Sequence, residues 1–161
     1  MTIWSSYWLL PLLFMFHDFE ELVFVPYWLQ RNDPTIYGRT LFGGVKRSDI
    51  LSAGIWEEFC IYLALSASAY WFNYPLLIVA ATLPYLFHLI MHIGFSLIKH
   101  TYVPGVVTAL IEIPMTIAYL LILIELTYSP FWQWLLVIFI MFGFFIGNLK
   151  LIHRLMAKVN K

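Results

Sequence analysis

The chain has 161 residues, of which 62% are hydrophobic and only 11% carry a charged side chain. Because soluble domains carry about 25% charged residues, this composition excludes an ordinary water-soluble fold and predicts an integral membrane protein. Nine basic and nine acidic residues give a formal net charge of zero, and the single cysteine, Cys60, excludes a disulfide within the chain.

Five apolar segments are long enough to cross a bilayer, which requires about 20 residues per helix. In chain order we predict spans at about residues 4–29, 49–70, 75–98, 105–127 and 130–148. Asn73-Tyr74-Pro75, Pro104-Gly105 and Ser129-Pro130 separate the later spans, because proline and glycine interrupt helices. The predicted fold class is all-α: a polytopic membrane bundle of five transmembrane helices, forming a single domain over residues 1–161.

The basic residues predict the orientation of this bundle. All nine lie in the loop after the first span, the gap after the third, or the C-terminal tail. They are Arg31, Arg39, Lys46, Arg47, Lys99, Lys150, Arg154, Lys158 and Lys161. Five spans bring these three stretches to one side, so the positive-inside rule predicts an outside N-terminus and a cytoplasmic C-terminus. We expect the bacterial cytoplasmic membrane as its location.

Most acidic residues, unlike the basic ones, lie inside the apolar segments together with three histidines. This group comprises His17, Asp18, Glu20, Glu21, Glu57, Glu58, His88, His92 and Glu112. Counted along the helices from the cytoplasmic ends, its histidines and glutamates lie at a common depth of about 10–18 Å. Ionisable side chains are costly in lipid, so we expect them to face the bundle interior and to form a functional site.

The spacing of these residues indicates a metal site. His17, Glu20 and Glu21 share one helix face, and His88 and His92 share another, because residues three or four apart are neighbours. Imidazole and carboxylate suit one or two divalent ions, with zinc favoured and iron or manganese also compatible. The predicted metal ligands are His17, Glu20, Glu57, His88, His92 and Glu112. Glu21 or Glu58 would be the catalytic base, although the choice within each adjacent glutamate pair stays open.

Structural roles compete with this interpretation. A lone buried histidine is usually a hydrogen-bonded core residue, and a lone membrane glutamate can be a protonated hydrogen-bond donor. For His88 taken alone, or for Glu125 near the outer face, the structural role is favoured, whereas Asp18 fits either role equally. The shared depth of the whole group favours a functional site.

Three motifs carry a resemblance to a known family. His17-Asp18-Phe19-Glu20-Glu21 reads His-x-x-Glu-Glu, and Tyr102-Val103-Pro104-Gly105 reads Tyr-x-Pro-Gly. Between them, His88-Leu89-Ile90-Met91-His92 has histidine where the family usually shows the asparagine of an Asn-x-x-x-His pair. Over about residues 10 to 115 the chain resembles the HXXEE family of small bacterial integral membrane proteins. The resemblance implies a membrane site with an enzymatic role but no particular reaction.

We therefore expect a metal-dependent membrane hydrolase that acts on a lipid-like or membrane-embedded substrate from the cytoplasmic leaflet. Water activated by metal and a glutamate base would attack an ester, amide or phosphoester. Tyr102, at the start of the fourth helix, would contact a polar headgroup, and the basic loop would attract anionic headgroups. The expected partners are membrane lipid and this substrate, with no nucleic acid.

Two other functions fit the same residues. Carboxylate-rich sites with histidine support a di-iron oxidoreductase of the oxygenase or desaturase type. An ion or proton-coupled transporter also places glutamate and histidine at mid-membrane. Five spans without an inverted repeat disfavour a carrier.

Overall fold

The structure, a computed structural model, describes residues 3–159. It is all-helical apart from one small hairpin, which confirms the predicted helical class; the tail residue Lys161 lies outside the described residues. The helices are α1 (Leu9–Arg31), α2 (Ser48–Trp71), α3 (Pro75–Lys99), α4 (Val106–Glu125) and α5 (Phe131–Val159).

Four of the helices in this range, α2 to α5, are long and apolar enough to cross a membrane. The remaining helix, α1, carries Asp18, Glu20 and Glu21 near its middle, which makes it too polar for that group. These acidic side chains and His17 are nevertheless buried in the bundle. The protein is therefore a helical membrane protein with four membrane-spanning candidates and one helix whose polar face is buried in the bundle.

Two helix boundaries differ from the predicted ones. α1 begins at Leu9, after a 3₁₀ turn at Ile3–Ser5, and Pro11 fits because the first helical turn needs no N–H donor at that position. α5 continues to Val159, well past residue 148, since apolar residues still recur at helical spacing in the basic tail. Met156 from this extension is buried, and its sulfur approaches Gly54 on α2.

The connection between α1 and α2 covers the end of the bundle at which the basic residues lie. Its strands β1 (Thr35–Ile36) and β2 (Arg39–Thr40) pair antiparallel through a two-residue turn. Both turn residues, Tyr37 and Gly38, have positive φ (47° and 75°), as a tight hairpin whose twist matches its strands requires. A 3₁₀ segment at Leu41–Gly44 follows and packs on α5, where a Cβ on Gly43 would lie 3.2 Å from the backbone oxygen of His153.

Close packing around α3 builds the core. This helix contacts α2, α4 and α5, while α1 packs between α2 and α4. Fully buried small residues, Ala80 and Ala81 on α3 and Ala109 on α4, let the helices approach closely, as membrane helix interfaces require. Tyr85 and Leu89 on α3 fill the space beside them. This packing brings α1 and α3 face to face at the level of the histidines.

Candidate metal centre

Four side chains from two helices converge inside the bundle: His17 and Glu21 from α1, and His88 and His92 from α3. One potential ligand atom from each lies within 4.8 Å of the others. The Oε1 atom of Glu21 is 2.8 Å from His92 Nε2, 3.5 Å from His17 Nε2 and 3.7 Å from His88 Nε2. Each helix contributes a pair spaced by four residues, so one turn of each helix supplies half of the group.

The partners of His17 fix which of its ring nitrogens carries the proton. Its Nδ1 lies 2.9 Å from Thr108 Oγ1, and that hydroxyl donates to Glu20 Oε2 at 2.6 Å. Since the single hydroxyl proton goes to the carboxylate, Thr108 accepts from His17, and His17 Nδ1–H is the donor. The Nε2 of a neutral His17 therefore carries a lone pair. This atom is buried without a hydrogen-bond partner among the described residues.

His92 is held in the same way by the loop before α4. Its Nδ1–H donates to the carbonyl oxygen of Pro104 at 2.8 Å, because a carbonyl can only accept. A neutral His92 then directs its Nε2 lone pair at the group. Gly105 makes this approach possible: it has φ +90°, and a Cβ there would lie 2.4 Å from His92 Nδ1. The Tyr-x-Pro-Gly motif thus shapes the backbone that holds His92.

Glu20 supports this group from outside it. Its Oε2 accepts the Thr108 N–H at 2.7 Å and the Thr108 hydroxyl, while its Oε1 accepts the Tyr102 hydroxyl at 2.7 Å. A carboxylate at this position satisfies free N–H groups in the first turn of α4 and complements the helix dipole. Trp28 Nε1–H anchors the same loop by donating to the Tyr102 carbonyl at 2.7 Å. Burial, together with the hydrogen bond to Glu20, raises the pKa of Tyr102, so its hydroxyl remains a donor.

The remaining predicted residues lie in other surroundings. Glu57 accepts a hydrogen bond at 3.1 Å from Asn148 of α5, and the fully buried Glu112 accepts one from the Tyr85 hydroxyl. Glu58 lies on the wall of the cavity described below. Of the six predicted ligands, the structure therefore brings His17, His88 and His92 together. Within residues 3–159, the fourth member of this group is Glu21, which was predicted as a base.

An elongated cavity of about 620 Å³ opens beside the four residues. Glu21, His88 and His92 line it, as do the acidic side chains of Asp18 and Glu58. Most other lining residues are apolar and come from α2, α3 and α5, while the hairpin and the 3₁₀ segment line the end formed by the basic loop. Cavities of about 300–1,000 Å³ with few polar groups are typical of small-molecule sites.

The group fits a cation. Glu21 Oε1 is 2.8 Å from His92 Nε2, within ion-pair distance, whereas the buried Nε2 of His17 has no hydrogen-bond partner in the described part of the chain. Buried polar atoms rarely stay unpaired, and lone pairs from imidazole and carboxylate are what zinc and iron accept. His88 is the half-buried member, with its Nε2 3.1 Å from His92 Nε2. The four residues could therefore hold a metal ion.

Two parts of this arrangement were not predicted from the sequence. Thr108 was not singled out, and the Pro104 carbonyl is a backbone group without a side-chain signature. The only sequence signal for either is the position of Thr108 three residues after Gly105, at the start of a helix. The hairpin at residues 35–40 was treated as a polar loop, although Tyr37-Gly38 is compatible with a tight turn.

Comparison with known proteins agrees with the motifs. The family described as "Protein of unknown function with HXXEE motif" matches residues 8–119. This match includes all four residues of the group, the Thr108 and Pro104 contacts, and the Tyr-x-Pro-Gly loop, and it ends before α5. No curated protein and no solved structure matches the chain.

Proposed function

We propose that this chain, which belongs to the HXXEE family, is a metal-dependent integral membrane enzyme whose ligands are His17, Glu21, His88 and His92. One observation supports this most strongly. Two buried imidazoles, each held through Nδ1–H by an acceptor outside the group, direct Nε2 at the carboxylate of Glu21. Metal-binding histidines typically donate their second N–H in this way, which orients the ring and fixes the tautomer. Zinc is the favoured ion.

We propose hydrolysis of a lipid-like or membrane-embedded substrate as the reaction. A metal ion held by these residues with one coordination position left open to water would supply Lewis acidity and lower the pKa of that water. Glu58 would take the proton of the attacking water, because it lines the same cavity as the ligands and is outside their group. The apolar walls from α3 and α5 would hold the hydrophobic part of the substrate.

The composition of the group favours this reaction over di-iron redox chemistry. Di-iron bundle sites use carboxylates from several helices in addition to histidine. Here three imidazoles surround one carboxylate, whereas Glu57 and Glu112 form hydrogen bonds with Asn148 and Tyr85. A histidine-rich set with one carboxylate resembles the ligand sets of mononuclear zinc hydrolases.

Metal analysis of the purified full-length protein tests the proposal. We expect about one zinc ion per chain, and Glu21→Gln should remove it because the amide lacks the anionic ligand. Glu57→Gln is the matched control, since glutamine can still accept the hydrogen bond of Asn148. A protein without metal, or equal loss in both variants, would contradict the proposed centre. A broad panel of acyl esters and amides would then test for hydrolysis by the metal-loaded protein.

We further propose that α1 is a fifth span, with an outside N-terminus and a cytoplasmic C-terminus in a bacterial cytoplasmic membrane. α1 has 23 residues and is therefore about 35 Å long, enough to cross the hydrocarbon core. Its acidic residues are buried against protein, so lipid would meet mainly its apolar face. Tags at the two termini should report opposite sides of the membrane. Tags on the same side would contradict five spans.

A further inference from the structure

We propose that the cavity takes a single-chain amphiphile whose hydrolysed bond joins an apolar chain to an anionic group, with Arg39 binding that anionic group. This inference rests on the proposed hydrolase and adds the class of substrate. N-acyl amino acids are the simplest compounds of this kind.

The shape of the cavity indicates a chain. On α5 its wall runs from Phe142 to Met156, which corresponds to about 21 Å along the helix. On α3 it runs from Pro84 to Phe95, or about 16 Å. The two walls meet where Phe87 and Phe142 contact each other, at a ring-centroid distance of 6.3 Å. A long apolar slot between neighbouring helices accommodates an extended hydrocarbon chain better than a compact ring system.

Arg39 gives the cavity a cationic end. It is the only lysine or arginine on the cavity wall and has no ion-pair partner among residues 3–159. Other cations of this side are engaged: Arg47 pairs with Asp49, Lys99 pairs with Asp33, and Arg31 lies over the Tyr27 ring. The tight hairpin fixes the backbone of Arg39 by pairing it with the buried Ile36. A guanidinium at this exposed position can form two hydrogen bonds with a carboxylate.

Charge determines which way the amphiphile lies. Acidic side chains (Asp18, Glu21 and Glu58) but no lysine or arginine line the walls contributed by α1 and α2, so an anionic group finds no cationic partner in that part of the cavity. Arg39 lies on the hairpin, next to the 3₁₀ segment whose Phe42 ring is 6.0 Å from that of His92. The anionic group therefore sits at the hairpin and the chain runs along α3 and α5. The bond between them then lies near the metal ligands.

For an N-acyl amino acid the reaction balances with water alone. The water oxygen bonds to the acyl carbon, the carbon–nitrogen bond breaks, and the amine takes the proton that Glu58 received from the water. The products are a fatty acid and an amino acid. No oxidant, reductant or second substrate is needed.

A matched pair of probes tests the charge requirement. Binding of N-dodecanoylglycine and of the neutral N-dodecanoylglycinamide is measured with the zinc-loaded, full-length protein in lipid nanodiscs. The two probes share the chain and the amide bond and differ in the negative charge. We expect the wild type to bind the glycine compound at least about tenfold more tightly, as a charge-assisted hydrogen bond provides. Arg39→Gln should reduce this preference to less than about twofold.

Arg47→Gln is the control, because Arg47 lies in the same loop but pairs with Asp49 and is absent from the cavity wall. It should keep the full preference. A wild type that binds neither probe or both equally would overturn the inference, as would an Arg39→Gln variant that keeps the preference. Metal content is measured first, so failure of the metal centre is seen separately from failure of the substrate assignment.

Discussion

α1 and α5 differ in which of their side chains are buried in the bundle. α1 carries His17 and Glu21 of the site, together with Asp18 and Glu20, and buries all four, whereas within the described range α5 buries only Phe145 and Met156. In lipid, polar side chains cost most where they meet hydrocarbon. α1 therefore has its polar face inside the bundle, while apolar residues such as Phe16 and Val23 are exposed on its other face. The most apolar segment is therefore not the one that carries the core of the fold. It is the one that faces lipid.

α1 and α5 are also expected to have different roles at the site. α1, α3 and the start of α4 supply the candidate ligands and the acceptors that orient them, and all lie within the family match. α5 lies beyond that match and adds apolar residues to the cavity wall. Changes in the first region should remove metal, whereas changes in α5 should leave metal binding intact.

The largest effect should come from the two buried histidines. His17→Ala and His92→Ala should each weaken zinc binding by more than about 100-fold, because each removes a direct ligand. In activity, the double variant should be scarcely worse than either single one, since residues that act as a unit are not additive. His100→Asn is the control, because asparagine tolerates the left-handed backbone of this exposed residue. Independent, additive losses of activity would show that His17 and His92 do not belong to one site.

A somewhat smaller loss should follow Gly105→Ala. The added methyl would meet His92 Nδ1 at 2.4 Å, and the residue has φ +90°, so either the loop or the imidazole must move. We expect zinc affinity to fall by about 10- to 100-fold. Gly94→Ala on α3 is the matched control, because a Cβ there meets nothing within 4 Å. Equal affinities in both variants would show that the Pro104 carbonyl does not position His92.

Thr108 tests the same idea without steric strain. Thr108→Val removes the hydroxyl that joins Glu20 to His17 and should reduce zinc affinity by about tenfold. Thr108→Ser keeps the hydroxyl and should restore binding. ¹⁵N NMR of the histidine rings supplies a second measurement: wild type and Thr108→Ser should show Nδ1–H on His17, and Thr108→Val a mixture of tautomers. An unchanged spectrum of Thr108→Val would show that Thr108 does not fix the tautomer of His17.

The helices and the layer of polar residues could be predicted because both depend on local pattern. Apolar length predicted α2 to α5, and four-residue spacing predicted that His17 shares a face with Glu21, and His88 with His92. The choice between Glu20 and Glu21 could not be made, since both lie on the face of His17. This choice depends on the rotation of α1 against α4, where the N–H and the hydroxyl of Thr108 donate to Glu20.

The same reason applies to Glu57 and Glu58. These neighbours point in different directions from α2, and only the position of α5 decides that Glu57 meets Asn148 while Glu58 lines the cavity. α5 continues as a helix to Val159, past the predicted span of about residues 130–148. Its apolar stripe continues through Ile152 and Met156, which pack near Gly54 on α2.

The smallest effects are expected on α5, where two phenylalanines form a matched pair. Phe145 is buried and stacks on Tyr62 at a ring-centroid distance of 4.9 Å, whereas Phe139 is 79% exposed on the lipid side. Phe145→Ala should lower the free energy of unfolding by about 1 kcal/mol, the scale of an aromatic pair, and Phe139→Ala by less than about 0.5 kcal/mol. Both are measured by reversible unfolding in mixed micelles.

Zinc affinity is the decisive second measurement on the same two variants. Because α5 supplies none of the four candidate ligands, both should bind zinc within about twofold of the wild type. This change is much smaller than the loss of about tenfold expected for Thr108→Val. The expected pattern is therefore a stability difference without a metal difference. If Phe145→Ala released zinc as Thr108→Val does, the cavity wall would hold the ligands in place, and α5 would have to be counted as part of the metal site together with α1, α3 and α4.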